Sequence, residues 1–118
     1  MRNINVIELL DSPVLLAPDK GLHLLSEIEK QIKNLGKIKL DFSGYQFLSS
    51  TFLNHSFGKY CLNNELSKSK FFERIEIVGL SDDDLEEVED VVYNAEMKWK
   101  LIRKGHNPDN FPSRFVSA

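Results

Sequence analysis

The stretch LDFSGYQFLSSTFL, residues 40–53, decides the fold that we expect for this chain. Polar and apolar side chains alternate over residues 37–42, which predicts a strand, and the pair Ser43-Gly44 predicts a turn after it. The brief apolar link Phe47-Leu48 leads to three consecutive hydroxyl side chains at residues 49–51. The hydroxyls precede a run with helical spacing, whose inner face is Leu53, Phe57, Tyr60 and Cys61. This corner therefore predicts a change from strand to helix.

Regular patterns continue on both sides of this stretch. Residues 18–35 predict a helix that ends at Gly36, with an inner face of Leu25, Ile28, Ile32 and Leu35. Residues 71–78 predict a strand, and Ser81 begins the longest helix, with an inner face of Leu85, Val88, Val92, Ala95, Trp99 and Ile102. The alternation predicts an α/β fold with about four strands in a mixed, mainly parallel sheet, packed with about three helices.

The two ends of the chain are less regular. The apolar residues within positions 4–10 predict a first strand, and residues 14–16 predict a second strand that pairs back on it as a hairpin, after the Asp11-Ser12-Pro13 turn. The segment after Gly105 contains two prolines and no apolar period. We therefore expect one domain over residues 1–104 and a C-terminal tail over residues 105–118.

Composition excludes several classes of protein. The chain has 118 residues, of which 42% are hydrophobic and 28% charged, as in an ordinary globular domain. Its formal charge of −3 argues against a nucleic-acid partner, which would favour a basic surplus. The sequence has no apolar run near the ~20 residues of a membrane span, and no apolar signal core precedes Glu8. We expect a cytoplasmic protein without a membrane partner.

The cysteine and histidine residues predict no metal site and no cofactor. Cys61 is the only cysteine, so no intrachain disulfide can form, and its apolar neighbours favour a buried, unreactive thiol. The three histidines, His23, His55 and His106, do not have metal-ligand spacing with Cys61 or with one another. The sequence also contains no glycine-rich phosphate loop.

The decisive stretch resembles the central motif of STAS domains, the bacterial anti-sigma-factor antagonists and their relatives. In that family a strand ending in Asp-Leu-Ser/Thr-Gly and a short apolar link precede Asp-Ser-Ser-Gly-Leu at the start of a helix. Asp41-Phe42-Ser43-Gly44 matches the first half, and the spacing to the second half also matches. Ser49 replaces the family's Asp and Phe52 its Gly. The pattern is closer to the "STAS-like" family, in which Ser/Thr-Phe follows the serines.

This resemblance implies a regulatory role through protein–protein contact, without enzymatic activity. The phosphoacceptor position of the antagonists corresponds to Thr51, and Ser50 is the second candidate. The implied partner is a histidine-kinase-like ATPase or a signalling subunit, and a homodimer is also compatible with the sequence. We expect the partner surface to include the neighbouring residues Gly44, Ser49, Asn54, His55 and Lys59.

Other interpretations of these residues stay open. Serine and threonine are preferred helix caps, so Ser50 is also explained as a cap, and Asp41 as the anchor of the following turn. The chain would then be an unphosphorylated scaffold or assembly subunit of a small regulatory or defence locus. A small hydrolase is a distant alternative, because Asp41, Ser50 and His55 are the residue types of a catalytic triad, but no Gly-Xaa-Ser-Xaa-Gly elbow is present.

The acidic residues of the longest helix also have two interpretations. Its first turns hold seven acids, Asp82, Asp83, Asp84, Glu86, Glu87, Glu89 and Asp90, and its last turns are basic. This polarity matches the helix dipole, which favours a simple solvated face. The alternative is an acidic docking strip for a basic partner.

Overall fold

The computed structural model describes residues 2–105, with the side chains of Asn34 and Leu35 excepted. Most of the predicted tail therefore lies outside the described residues, as does the predicted burial of Leu35. The described elements, in chain order, are β1 (Arg2–Asn5), α1 (Val6–Leu10), β2 (Val14–Leu15), α2 (Pro18–Leu35), β3 (Ile38–Asp41), β4 (Phe47–Leu48), α3 (50–64), α4 (Lys68–Arg74), β5 (Ile75–Val78) and α5 (Asp82–Arg103). Helix α3 contains a π-helical turn, Asn54–Gly58, between α-helical Ser50–Leu53 and Lys59–Asn64.

The main sheet is parallel, with the strand order β1-β3-β5. Ile4, Leu40 and Ile77 are in register on one face, where Ile4 and Leu40 are buried in the same core as the helices. The other face is polar: Asn3, Lys39 and Glu76 are in register there, with Lys39 Nζ 3.9 Å from Glu76 Oε2. Strand alternation thus directs the apolar face toward the helices and leaves a polar face outside.

A second, two-stranded sheet leads directly into α3. Strands β2 and β4 are parallel, with Leu15 opposite Leu48, and Ser49 N donates to Leu15 O at 3.1 Å. The predicted hairpin between the first two strands is therefore wrong. The α/β class and the parallel strands are confirmed, but the described residues form five strands in two sheets and five helices, more than the expected four and three.

Two predicted strands contain helices. Residues 4–10 do not form one strand, because Asn5 Oδ1 accepts a hydrogen bond from Glu8 N at 3.0 Å and begins α1. Phe71 and Phe72, predicted at the start of a strand, lie in α4, which Ser67 caps by accepting from Lys70 N at 3.2 Å. In both cases a capping side chain satisfies free helix amides, which apolar periodicity does not reveal.

Helix α3 occupies the centre of the core. Phe57 packs edge-on against Phe42 and Phe71, with ring centroids 6.3 and 5.2 Å away. Gly21 of α2 lies so close that an added Cβ would be 2.7 Å from Phe52 O. Cys61 is fully buried, as predicted, and burial raises the pKa of its thiol to about 12. Helix α3 therefore packs against the interior along most of its length.

The longest helix follows its predicted pattern only in the middle. Val88, Val92 and Ala95 are buried, as expected, together with Val91. Leu85 and Trp99 are half-buried, and Trp99 Nε1 donates to Leu66 O at 2.9 Å. Ile102 is 51% exposed, so its predicted burial is wrong. None of the described helices is both long and apolar enough to cross a membrane.

Candidate functional site

The three hydroxyl residues lie where β4 ends and α3 begins, as predicted from the sequence. We call Ser49, Ser50 and Thr51 the hydroxyl corner. Ser49 is the N-cap: its Oγ accepts from Phe52 N at 3.1 Å and donates to Leu16 O at 2.9 Å. The capping role suggested for Ser50 thus belongs to Ser49, whose hydroxyl both donates to and accepts from the backbone.

Ser50 is exposed and contacts the long helix. Its Oγ donates to Glu87 Oε1 at 2.5 Å, so the first turn of α3 is connected to the second turn of α5. A hydrogen bond to a carboxylate is stronger than one between neutral groups, although exposure to water reduces its net value. Glu87 is therefore a site residue, whereas the sequence predicted it only as one of the seven acids of this helix.

Thr51 is exposed, and its hydroxyl has no hydrogen-bond partner within residues 2–105. The first backbone hydrogen bond of α3 is from Leu53 N to Ser49 O, at 3.1 Å, so Thr51 lies in the turn whose amides precede the regular helical bonds. The three hydroxyls therefore differ: one caps the helix, one binds an acid, and one is accessible and unpaired.

A second contact connects the loop before β4 to α5. The hydroxyl of Tyr45 donates to Asp84 Oδ2 at 2.5 Å and accepts from Ser81 N at 3.1 Å. Ser81 begins α5 as predicted and caps it, because its Oγ accepts from Asp84 N at 3.2 Å. Tyr45 and Ser50 thus bind acids one helical turn apart, which aligns residues 45–50 with the start of α5. This role of Tyr45 was not predicted from the sequence.

The turn after β3 is stabilised by Asp41. Asp41 Oδ1 accepts from Ser43 N at 2.9 Å, as expected for a turn anchor. Hydrogen bonds from the Ser43 side chain and backbone lower the pKa of the Asp41 carboxyl. Gly44 is exposed at φ 90°, a left-handed conformation that favours glycine. Gly44 is therefore on the surface, one residue before the Tyr45 contact.

The other predicted partner residues follow along α3. Asn54 and Lys59 are exposed, and His55 is half-buried, with its Nδ1 2.8 Å from Thr51 O. A backbone carbonyl only accepts, so Nδ1–H of His55 is the donor in this contact. Asn54 and Lys59 thus face solvent beside the hydroxyl corner.

The side chains suggested for a hydrolase triad do not meet. Asp41 binds Ser43, Ser50 binds Glu87, and His55 binds the carbonyl of Thr51. A triad requires histidine to contact both the nucleophile and the carboxylate. Within residues 2–105, no group of three or more His, Cys, Asp or Glu side chains could hold a metal ion.

Fold and site together define a small parallel α/β domain with an exposed hydroxyl corner at the edge of a sheet. A family described as "STAS-like domain of unknown function (DUF4325)" matches residues 20–85, from the first turn of α2 to the first turn of α5. The chain therefore belongs to this STAS-like family, as its central motif predicted. No curated protein and no solved structure matches the chain.

Proposed function

We propose that this protein is a regulatory protein-interaction module whose hydroxyl corner contacts a partner protein and is switched by phosphorylation. STAS-like domains are generally non-enzymatic interaction modules, which supports the general class. The observation that carries the switch is the difference between the hydroxyls: only that of Thr51 is exposed and also unpaired within the described residues. Thr51 is therefore the first candidate phosphoacceptor, and Ser50 is the second.

The surroundings of Thr51 explain how one phosphate would change binding. The first turn of a helix tolerates negative charge, because its amides and dipole favour an anion. Phosphorylation adds about −1.5 to −2 charges, which a docked partner must desolvate or neutralise. Glu87, bonded to Ser50, adds further negative charge nearby. A partner that binds the unmodified corner would therefore lose affinity when Thr51 is phosphorylated.

The proposed contact surface combines the hydroxyl corner with the exposed and half-buried residues that flank it. Asn54, His55 and Lys59 extend the surface along α3, and Gly44 extends it along the preceding turn. Ser49 contributes by fixing the backbone of the corner, because its hydroxyl is already bonded. The partner implied by the family resemblance is a histidine-kinase-like ATPase or a signalling subunit.

The direct experiment is capture of the partner by the full chain, followed by affinity measurements with variants. Thr51→Glu is expected to weaken partner binding at least about tenfold, whereas Thr51→Ala is expected to change it little. Ser26→Glu is a matched control, because it adds the same charge to an exposed serine of α2. Equal affinity of Thr51→Glu and the wild-type chain would contradict the switch.

Modification itself is tested by incubating the chain with ATP and the captured partner. Mass spectrometry is expected to show one added phosphate on Thr51 and none on Thr51→Ala. If the phosphate is found on Ser50, the second candidate is correct, and the bond from Ser50 to Glu87 must open for modification.

A scaffold without phosphorylation is the second candidate function. It is favoured by the bonds of Ser49 and Ser50, because both hydroxyls hold the structure together. In that case Thr51 stays unmodified in the complex, and Thr51→Glu affects binding no more than Ser26→Glu does. Comparing these two variants therefore distinguishes the switch from the scaffold.

A further inference from the structure

A pocket lies on the opposite part of α3 from the hydroxyl corner. It has a volume of about 390 Å³ and forms where α2 passes the last turns of α3 and α4. Its lining residues are Glu29, Ile32, Lys33, Tyr60, Asn64 and Arg74. Three separate helices therefore contribute side chains to one concave surface, which we call the Tyr60 pocket.

The hydroxyl of Tyr60 is the unusual feature of this pocket. Tyr60 is 2% exposed, and its hydroxyl makes no hydrogen bond of ordinary geometry within residues 2–105. A buried polar atom without a partner destabilises a folded protein, so most such atoms are bonded to protein, water or ligand. Asn64 does not serve this atom, because its Nδ2 donates to the backbone oxygen of Tyr60 at 2.9 Å. The pocket thus contains an unused donor.

The charges beside this hydroxyl favour an anion. Arg74 is half-buried and Lys33 exposed, and neither forms an ion pair within residues 2–105. Glu29 is the one acidic lining residue, so the lining carries two positive charges against one negative charge. Burial raises the pKa of Tyr60, and the Arg74 side chain beside the phenol oxygen partly offsets this rise through hydrogen bonding and charge. Arginine only donates, so the O–H proton of Tyr60 stays unused. At neutral pH the hydroxyl is therefore protonated and able to donate.

We propose that the Tyr60 pocket binds the oxyanion, phosphate or carboxylate, of a small molecule, with Tyr60 donating a hydrogen bond and Arg74 supplying the main positive charge. Lys33 strengthens the attraction at the entrance, and Ile32 provides an apolar contact for the remainder of the ligand. The planar guanidinium of Arg74 suits either oxyanion, because both present paired oxygen atoms. This site is independent of the hydroxyl corner.

The experiment titrates the full chain with inorganic phosphate or with acetate, using chloride to keep the ionic strength constant. Calorimetry gives affinity, and NMR follows the side-chain Nε–H of Arg74 and the aromatic ring of Tyr60. We expect saturable shifts at both residues with at least one of the two anions. The anion with the higher affinity identifies the bound group of the ligand as a phosphate or a carboxylate. Linear, unsaturated shifts with both anions, as chloride also gives, would overturn the proposal.

Two variants test the roles of the individual groups. Tyr60→Phe is expected to raise the thermal midpoint of the free protein, because it removes a buried polar atom, and to weaken anion binding about tenfold. Arg74→Gln is expected to weaken binding at least as much. Arg103→Gln is the control, because Arg103 is an exposed cation paired with Glu65 at the end of α5. It should leave affinity unchanged.

These results separate the proposal from its alternatives. If Tyr60→Phe binds the anion as well as the wild type, the hydroxyl is not a ligand donor and the proposal is wrong. If Tyr60→Phe lowers the thermal midpoint, the hydroxyl has a partner in solution, which also overturns it. Failure here leaves the proposed function intact, because Thr51→Glu and partner binding test a different end of α3.

Discussion

Thr51 and Tyr60 lie on the same helix, and each carries a hydroxyl without a hydrogen-bond partner within residues 2–105. Thr51 is exposed, so water satisfies its hydroxyl. Tyr60 is 2% exposed, so its hydroxyl has lost water and gained no protein partner. The lack of a protein partner therefore has opposite consequences at the two positions. The Thr51 hydroxyl is accessible to other molecules, whereas the Tyr60 hydroxyl carries an unfavourable desolvation energy. Burial, rather than the missing bond, identifies the position where a ligand would stabilise the fold.

The largest expected effect concerns the contact that positions α3 between these two hydroxyls. A Cβ on Gly21 would lie 2.7 Å from Phe52 O and 2.9 Å from the His55 Cβ. Gly21→Ala must therefore separate α2 from α3. We expect this change to lower the free energy of unfolding by about 2 kcal/mol, measured by urea denaturation, despite the better helix propensity of alanine.

Gly58→Ala is the matched control for this prediction. Gly58 is also buried within a helix, but the nearest atoms to an added Cβ are 3.5 Å away, which is ordinary contact. Alanine is expected to be neutral there or to raise stability by up to about 1 kcal/mol. Equal stability of the two variants would show that the close approach of α2 to α3 is absent in solution.

The next largest effect is expected at Glu96, which supports the helix that ends in the Tyr60 pocket, and its contribution to stability depends on pH. Glu96 on α5 accepts from Lys68 N at 2.6 Å, at the start of α4, and from Lys100 Nζ at 2.5 Å. Burial alone would raise the pKa of Glu96, but its bonds to Lys100 and Lys68 outweigh burial and lower it below the ordinary 4.5. Glu96 thus holds α4, whose last residue is Arg74 of the pocket.

Glu96→Gln is expected to lower the free energy of unfolding by about 1.5 kcal/mol at neutral pH, because it removes charge-assisted hydrogen bonds. A lowered folded-state pKa stabilises the fold above the unfolded-state pKa, and this contribution is lost as the pH falls through the folded-state value. The difference between variant and wild type should therefore shrink below pH 4.5. A constant difference between pH 7 and pH 3, in denaturation series, would contradict the role of the Glu96 charge.

The difference between local and distant contacts explains which features could be predicted from the sequence. The parallel core, the hydroxyl corner and the Ser81 cap were predictable, because strand alternation, helical spacing and capping are properties of neighbouring residues. The first helix was missed although Asn5 and Glu8 have capping-box spacing, because the apolar run hid that signal. Val14 and Leu15 were assigned to the wrong partner, because strand pairing depends on the whole topology.

The Tyr60 pocket was not predictable in the same way. Tyr60 was correctly placed on the inner face of its helix, and a tyrosine there is normally expected to bond through its hydroxyl. Whether this hydroxyl finds a partner depends on the positions of the Arg74 and Glu29 side chains, which lie on two other helices. Likewise, Ser50 was placed at the corner, but its contact with Glu87 spans 37 positions in sequence. Neither feature has a local sequence signal.

A smaller effect distinguishes the hydroxyls of the corner from one another. Ser49→Ala removes the N-cap of α3 and the bond to Leu16 O, so it is expected to lower the free energy of unfolding by about 1 kcal/mol. Thr51→Ala, which removes an exposed hydroxyl without a partner, should stay within about 0.5 kcal/mol of the wild type. Thermal or urea denaturation measures both variants. A larger loss for Thr51→Ala than for Ser49→Ala would mean that Thr51, and not Ser49, caps the helix.

The smallest expected effect is the coupling between Ser50 and Glu87, which is measured by a double-mutant cycle of Ser50→Ala and Glu87→Gln. Ser50 is exposed and Glu87 half-buried, and their hydrogen bond is open to water, so water competes for it and the coupling energy should be only about 0.5 kcal/mol. Thr51→Ala combined with Glu87→Gln is the control and should show no coupling. A coupling well above 1 kcal/mol would mean that Ser50 is held too firmly for easy modification, which would strengthen the preference for Thr51 as phosphoacceptor. Zero coupling would mean that Glu87 does not hold Ser50, and Ser50 and Thr51 would then be equivalent candidates for phosphorylation. This coupling energy therefore decides whether Thr51 is preferred over Ser50.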